Sequence, residues 1–212
     1  MVPADDFFQR ARARLSLDVP AALTDPDAVP SRGDHELNKE MQALWALRPI
    51  RPAAVLVPVI DRPQPTVLLT QRSAHLPDHA GQISFPGGKI EPGDENPLAA
   101  ALREAEEEIG IERRFVEPIG YLDLYMTTLG YRIVPTLARI TPEYGLTLNR
   151  SEVDEAFEVP LAFLMEPANH QRHSRDWQGL RRYYFAIPFE ERHIWGATAG
   201  ILRNLYESIY KG

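Results

Sequence analysis

Residues 85–111 read FPGGKIEPGDENPLAAALREAEEEIGI, and they define a helix at both of its ends. Asn96 followed by Pro97 is a cap and a first-turn proline, and Gly110 supplies the stop. Between them Leu98, Leu102, Ala105 and Ile109 recur at helical spacing and are expected to form a buried stripe. Glu104, Glu107 and Glu108 stand at i, i+3 and i+4 and so share a face. At about 100° per residue their mean direction lies roughly 130° from that stripe, which turns them toward solvent. Glu106 falls on the other side and is left out of the group. Three carboxylates so placed repel one another. A charge run of this kind is ordinarily a solvated face. Here, however, a Gly-Gly turn, Asp94, a capped start and an Arg-Glu pair surround it at close offsets. Hard divalent cations resolve the repulsion, since Mg²⁺ takes carboxylate oxygens and keeps waters that bridge to phosphate. Arg103, one turn before Glu107, is placed to orient it through charge-assisted hydrogen bonds.

Outward from this helix the pattern is of strands. Ala53–Ile60 and Thr66–Arg72 are β-rich and separated by DRPQP, a hairpin-like arrangement, and residues 73–97 are mostly loop. Further strands are expected at Ile119–Tyr125, Tyr131–Ile140, Ala156–Pro160, Gln171–Trp177 and Leu180–Ile187. A closing helix, Gly196 to Tyr210, offers Thr198, Leu202, Leu205 and Ile209 to the core. Ahead of residue 50, short helices are expected at Phe7–Leu15 and His35–Leu47, joined by a loop rich in Pro and Asp. Strands interleaved with a few helices indicate a mixed sheet with helices on its faces.

The 212 residues fit one domain of ordinary size. With no cysteine there are no disulfides, thiolate metal sites or cysteine nucleophile, and a cytoplasmic setting is the simplest expectation. The longest apolar run, Ala53–Ile60, contains Pro58 and is far short of the roughly 20 residues of a membrane helix. The opening MVPADDFFQRARARL has two early acids and no apolar segment, so no signal peptide is expected. A net charge of −7 argues against a nucleic-acid surface. It leaves open a phosphorylated small molecule, held by cations between two sets of oxygens.

Residues 88–111 resemble a Nudix box, Gly-x5-Glu-x7-Arg-Glu-U-x-Glu-Glu-x-Gly-U, where U is aliphatic or similar. Gly88 takes the first position, Arg103-Glu104-Ala105 the centre and Glu107-Glu108-Ile109-Gly110-Ile111 the end. The acid after the glycine departs from the pattern. Asp94 keeps the first spacing and lengthens the second by one. Glu95 would restore the second, but would require Lys89 to be the glycine. The resemblance implies the Nudix fold, an α/β (α+β) mixed β-sheet sandwiched between α-helices. Residues 51–212 would form the hydrolase domain and residues 1–50 a helical and loop extension packed on it. It also implies hydrolysis of a pyrophosphate by water with Mg²⁺, or Mn²⁺ in its place. Glu104, Glu107 and Glu108 would be metal ligands, and Arg103, Glu104, Glu107 and Glu152 catalytic residues. Glu104 or an acid beyond the box, Glu152 or Glu155, would be the general base.

A second segment, LLTQRSAHLPDHAGQISFPGG (68–88), resembles the signature of the coenzyme A pyrophosphatase branch. That signature runs Leu-Leu-Thr-x-Arg-Ser/Ala-x3-Arg-x3-Gly-x3-Phe-Pro-Gly-Gly. Leu68, Leu69, Thr70, Arg72, Ser73, Gly81, Phe85, Pro86, Gly87 and Gly88 match, while Pro77 stands where the signature has Arg. The lengthened Asp94 spacing and IWGATAGIL (194–202) have the same flavour. The implied substrate is coenzyme A or an acyl-CoA, cut to 3′,5′-ADP and 4′-phosphopantetheine. Arg72, Lys89, Gly87, Gly88 and Arg132 would be its contacts. A later basic patch, His170, Arg172, His173 and Arg175, is either an exposed segment or a further phosphate contact. The alternatives are ADP-ribose, NADH or an oxidised nucleoside triphosphate as substrate, or a Nudix module that binds without catalysis. Because the fold often dimerises, a homodimer is a further expectation. Neither a membrane nor a nucleic-acid partner is expected.

Overall fold

Two ten-residue strands, β2 (Arg51–Ile60) and β8 (Tyr131–Ile140), run parallel and in register from Arg51↔Tyr131 to Ile60↔Ile140. The computed structural model describes residues 4–41, 48–177 and 179–211. Among these, β1 (Arg32–Gly33), β3 (Thr66–Arg72), β4 (Ile83–Ser84), β5 (Gly87–Lys89), β6 (Val116–Tyr121), β7 (Tyr125–Met126) and β9 (Val153–Pro160) join that pair in one mixed sheet. A separate antiparallel sheet holds β10 (Gln171–Trp177), β11 (Leu180–Phe189) and β12 (Arg192–Trp195). The helices are α1 (Ala4–Arg14), α2 (Pro97–Ile109), the single turn α3 (Leu161–Leu164) and α4 (Ala197–Tyr210).

Side chains of a strand alternate between faces, and β2 divides the interior accordingly. Ala54, Leu56 and Ile60 meet Ala100, Ala101, Ala105 and Ile109 of α2 on one face. Val57 and Val59 meet Phe7 and Phe8 of α1 and Leu202, Leu205 and Ile209 of α4 on the other. The mixed sheet therefore lies between helices, the expected α/β layering. Burying a side chain such as Ile109 or Phe8 contributes about 1.5–3 kcal/mol.

The helix bounds inferred for α2 hold: the Asn96 side chain accepts from Ala99 N–H, and Gly110 closes in the left-handed region at φ 69°. The buried stripe is different. Ala100, Ala101 and Ala105 are fully buried with Ile109, whereas Leu98 and Leu102 are partly exposed. Small residues let the helix approach the sheet closely, so the alanines hold the contact and the leucines flank it. This rotates the buried direction by about 60° from the expected one, toward the carboxylates.

Other expectations are revised. The hairpin of β2 and β3 is paired at Val59↔Val67 and Ile60↔Thr66 and then splits. β5 attaches to β2, while β3 goes on to pair with β4 and β9. This division places the Gly-Gly turn where the two strands part. The strand expected over Ile119–Tyr125 is two, β6 and β7, with a register irregularity between Pro118 and Gly120. The expected helix His35–Leu47 begins instead as two 3-10 turns, Asp34–Glu36 and Lys39–Met41, and its residues 42–47 lie outside the described residues. Asn38 accounts for the break: its fully buried amide bonds Asp34 O, Tyr183 O and Tyr183 N–H, competing with a continuous helical ladder. Among the described residues no helix is long and apolar enough to cross a membrane.

Arg132, expected at the substrate, is elsewhere. Alternation sends it to the face opposite Tyr131 and Ile133. There its buried guanidinium donates to the carbonyls of Ala22, Asp25 and Ala28 and clasps the segment before β1.

Candidate active site

The site is organised by a bare stretch of backbone. Gly87 and Gly88 pair with Val55 and Ala54 of β2. Gly87 has φ +150°, and a Cβ there would lie 2.4 Å from the Ala54 carbonyl oxygen. A Cβ on Gly88 would lie 2.6 Å from the Glu104 carboxylate. The sheet thus presents unadorned backbone to α2, and Glu104 lies on it.

Glu108 is the deepest of the acids. Its Oε2 accepts the Gly87 N–H at 3.1 Å, and Arg72 Nη1 stands 3.8 Å from Oε1. The expectation that Glu108 faces solvent is overturned, since the residue is 3% exposed. The rotated stripe explains it: Glu108 follows Ala101 by seven residues and Ala105 by three, on the same side of the helix. Burial pushes its carboxyl up to about 7, with the neighbouring Glu104 and Glu152 adding to this and the Gly87 N–H and Arg72 opposing it. Burial also raises Glu104, against the pull of Arg103, and Glu107 and Glu152 push the same way. Glu107 is further round the helix, its side chain 56% exposed.

Arg103 ties the acids together. Its Nε and Nη2 bond the two oxygens of Asp94 at 3.0 Å each, Nη1 reaches Glu104 at 3.0 Å and Glu107 at 3.1 Å, and Nη2 also bonds Lys89 O. This bidentate contact distinguishes Asp94 from the exposed Glu95, and holds the Asp94 carboxyl below the usual range. Asp94→Asn removes one arm of the fork. Its turnover is expected to fall about tenfold, in line with the cost of disturbing groups that orient a ligand. Glu95→Gln should leave turnover unchanged. Steady-state rates of both variants check this, and equal effects would remove the distinction.

Glu152 is held by Asn149 Nδ2 at 3.0 Å in the loop beside the end of α2, near enough for its charge to act on Glu104 and Glu108. Glu155 is engaged elsewhere, accepting Arg192 Nη2 at 2.6 Å. A cleft of about 550 Å³ opens along the glycine backbone, lined by Arg72, Gly87, Gly88 and Lys89 and by Tyr131 and Ile133 of β8. That volume is in the range of small-molecule sites, about 300–1,000 Å³. Arg72 faces it with a buried Nε that has no hydrogen-bond partner among the described residues.

Among the described residues no three acidic or histidine side chains converge closely enough to form a metal cage on their own. What the site has is a buried carboxylate, Glu108, and a half-buried one, Glu104, whose charge helps to raise it. Mg²⁺ is characteristically held by one or two carboxylates, with waters and substrate phosphate oxygens completing its shell. The donor set fits that mode.

The later basic patch is dispersed. His170 is buried with Nε2 on Leu164 O, and Arg172 lies over the Tyr183 ring at 4.1 Å. Arg175 lines the cleft together with Arg182 and Trp195, two residues not anticipated there. The signal for Arg182 lay in the strand bounds, because pairing Trp177 with Leu180 puts Arg175 opposite Arg182.

The NUDIX domain family model matches residues 50–181. Relatives from Escherichia coli strain K12 and Shigella boydii serotype 4, each described as an uncharacterized Nudix hydrolase NudL, are 42% identical over 155 residues. The match covers 73% of this chain and 81% of each relative. Among solved structures, DR0079 from Deinococcus radiodurans aligns over 74% of this chain and 83% of its own, at 14% identity and a TM-score of 0.49.

Proposed function

The chain belongs to the Nudix family, and from that premise we propose that it hydrolyses the pyrophosphate linkage of coenzyme A or an acyl-CoA. Membership establishes the coarser activity, a Nudix hydrolase of a nucleoside diphosphate derivative, in a family that generally uses divalent metal. The finer reading is carried by one observation. Arg72, from the upstream motif, stands 3.8 Å from Glu108, from the box, with the Gly87 N–H on the same carboxylate. The upstream motif thus reaches the carboxylate helix, next to a cleft lined by Arg72, Gly87 and Gly88.

In this reading Glu104 and Glu108 hold Mg²⁺, which supplies neutralisation of the pyrophosphate oxygens and acidification of water. Arg72 and Lys89 at the cleft attract the phosphates, Arg72 through a fork suited to paired oxygens. Arg103, fixed by Asp94, keeps Glu104 on the glycine backbone. A water oxygen bonds to one phosphorus while the bridging P–O bond breaks. The other phosphate leaves with the electron pair, and Glu152, or Glu104 itself, receives the water proton. The products are 3′,5′-ADP and (acyl-)4′-phosphopantetheine.

The test is hydrolysis of coenzyme A with and without Mg²⁺ or Mn²⁺, beside ADP-ribose and NADH, with products resolved by chromatography. Metal-dependent release of 3′,5′-ADP as the preferred reaction is the expected result. Preferred cleavage of another nucleotide overturns the substrate, and no cleavage of any overturns catalysis.

A further inference from the structure

Within the cleft, two arginines face each other across a pair of strands. Arg175 of β10 and Arg182 of β11 are direct partners in the antiparallel register, so their side chains lie on one face. Like charges placed directly opposite destabilise a sheet. The structure answers half of this conflict. Asp34, 6% exposed, accepts Arg182 Nη2 at 2.9 Å and is itself held by the Tyr125 hydroxyl and the Thr128 N–H, each at 2.9 Å. Arg182 keeps a buried Nε without a partner among the described residues. Arg175 has no carboxylate partner among the described residues, and lies over the Trp195 ring at 5.0 Å from its centroid. That stacking steadies the guanidinium without consuming its donors. Asp34 and Asp78 are the acids of the lining, against Arg72, Lys89, Arg175 and Arg182. The cleft is therefore net cationic in an acidic protein.

We propose that Arg175 and Arg182 form a second anion subsite, which takes a phosphate monoester carried by the substrate apart from its scissile pyrophosphate. Guanidinium forks match the paired oxygens of such a group, and two of them suit a dianion. The proposal rests on the pyrophosphatase reading, in which the 3′-phosphate of coenzyme A is that monoester. It gives the N-terminal segment a role at the site, since Asp34 positions Arg182.

Coenzyme A and dephospho-coenzyme A, which lacks the 3′-phosphate, separate the subsite from the reaction. For Arg175→Gln, KM for coenzyme A is expected to rise about tenfold at unchanged kcat, the scale of one charge-assisted contact. KM for dephospho-coenzyme A should stay the same. Arg181→Gln removes an equal charge from the opposite face of the same strands and should change neither. Equal losses on both substrates, or none, overturn the proposal while leaving the reaction intact. Calorimetric titration of the metal-free protein with adenosine 3′,5′-bisphosphate and with 5′-AMP gives a readout without turnover. Tighter binding of the bisphosphate, lost in Arg175→Gln, supports the subsite even if coenzyme A proves not to be cleaved. Equal binding of the two ligands overturns it.

Discussion

Glu108→Gln is expected to lower kcat about 10³-fold, the loss of about 4 kcal/mol of transition-state stabilisation through a metal ligand. It should also make the metal-free protein more stable at pH 8. The second effect follows from burial. With its carboxyl raised from 4.5 to about 7, Glu108 holds its proton more tightly in the folded chain than in the unfolded one. Below about 4.5 both states are protonated and burial of the carboxyl carries no charge penalty. Between 4.5 and 7 the unfolded chain releases the proton first, so stability falls as pH rises, and above 7 the full penalty remains. Its size is at most about 3 kcal/mol. Glutamine does not titrate, so the variant lacks this decline. Thermal unfolding without metal at pH 5 and pH 8, on both proteins, reads the difference. A wild-type midpoint independent of pH over that window refutes the buried charge, and near-wild-type turnover in the variant refutes the metal role. Mg²⁺ should restore the lost stability at pH 8, because it takes the place of the proton.

Substituting the two neighbouring glycines should separate catalysis from folding. In Gly88→Ala the new methyl occupies the place of the Glu104 carboxylate, the far end of a flexible side chain that can swing away. The protein should fold with a nearly unchanged midpoint while kcat drops about 100-fold, the cost of moving a reacting group by about an ångström. In Gly87→Ala the methyl meets the Ala54 carbonyl oxygen at 2.4 Å and the Val55 Cα at 2.6 Å, at a φ of +150°. Backbone cannot yield as a carboxylate does, and roughly 1–3 kcal/mol of strain is expected there, before any cost of the clash. Parallel rate and unfolding measurements distinguish the two. A fully active Gly88→Ala would show that Glu104 is not needed where it lies.

The part of the fold visible in the sequence is the part encoded locally. Asn96, Pro97 and Gly110 mark the ends of α2 because capping involves groups a few residues apart. The bounds of β8 and β10 are likewise those expected. What eluded the sequence depends on distant chain. Leu98 and Leu102 are the larger residues, but the sheet approaches the run of alanines more closely. The alanine face carries Glu108 inward with it. Arg132 looked like a phosphate ligand because its three carbonyl partners lie more than a hundred residues away. Within the candidate site, the acids and glycines were legible from their spacing. The Arg175–Arg182 face required a register, and Asp34 required the course of the N-terminal segment.

The core containing Phe7 and Phe8 has its own implication for how the chain comes to be folded. Those rings lie against Leu202, Leu205 and Ile209, and Arg14 donates to the carbonyl of Ser208 at 3.0 Å. The helix carrying Phe7 and Phe8 thus finds its partner far along the chain, Arg14 and Ser208 being 194 residues apart. On the ribosome two phenylalanines and the strand face of Val57 and Val59 wait in water until α4 emerges, at about 5–20 residues per second. The nascent polypeptide carries a sticky half-core from α1 until α4 is made. Until then that apolar face is open to association with other unfolded chains.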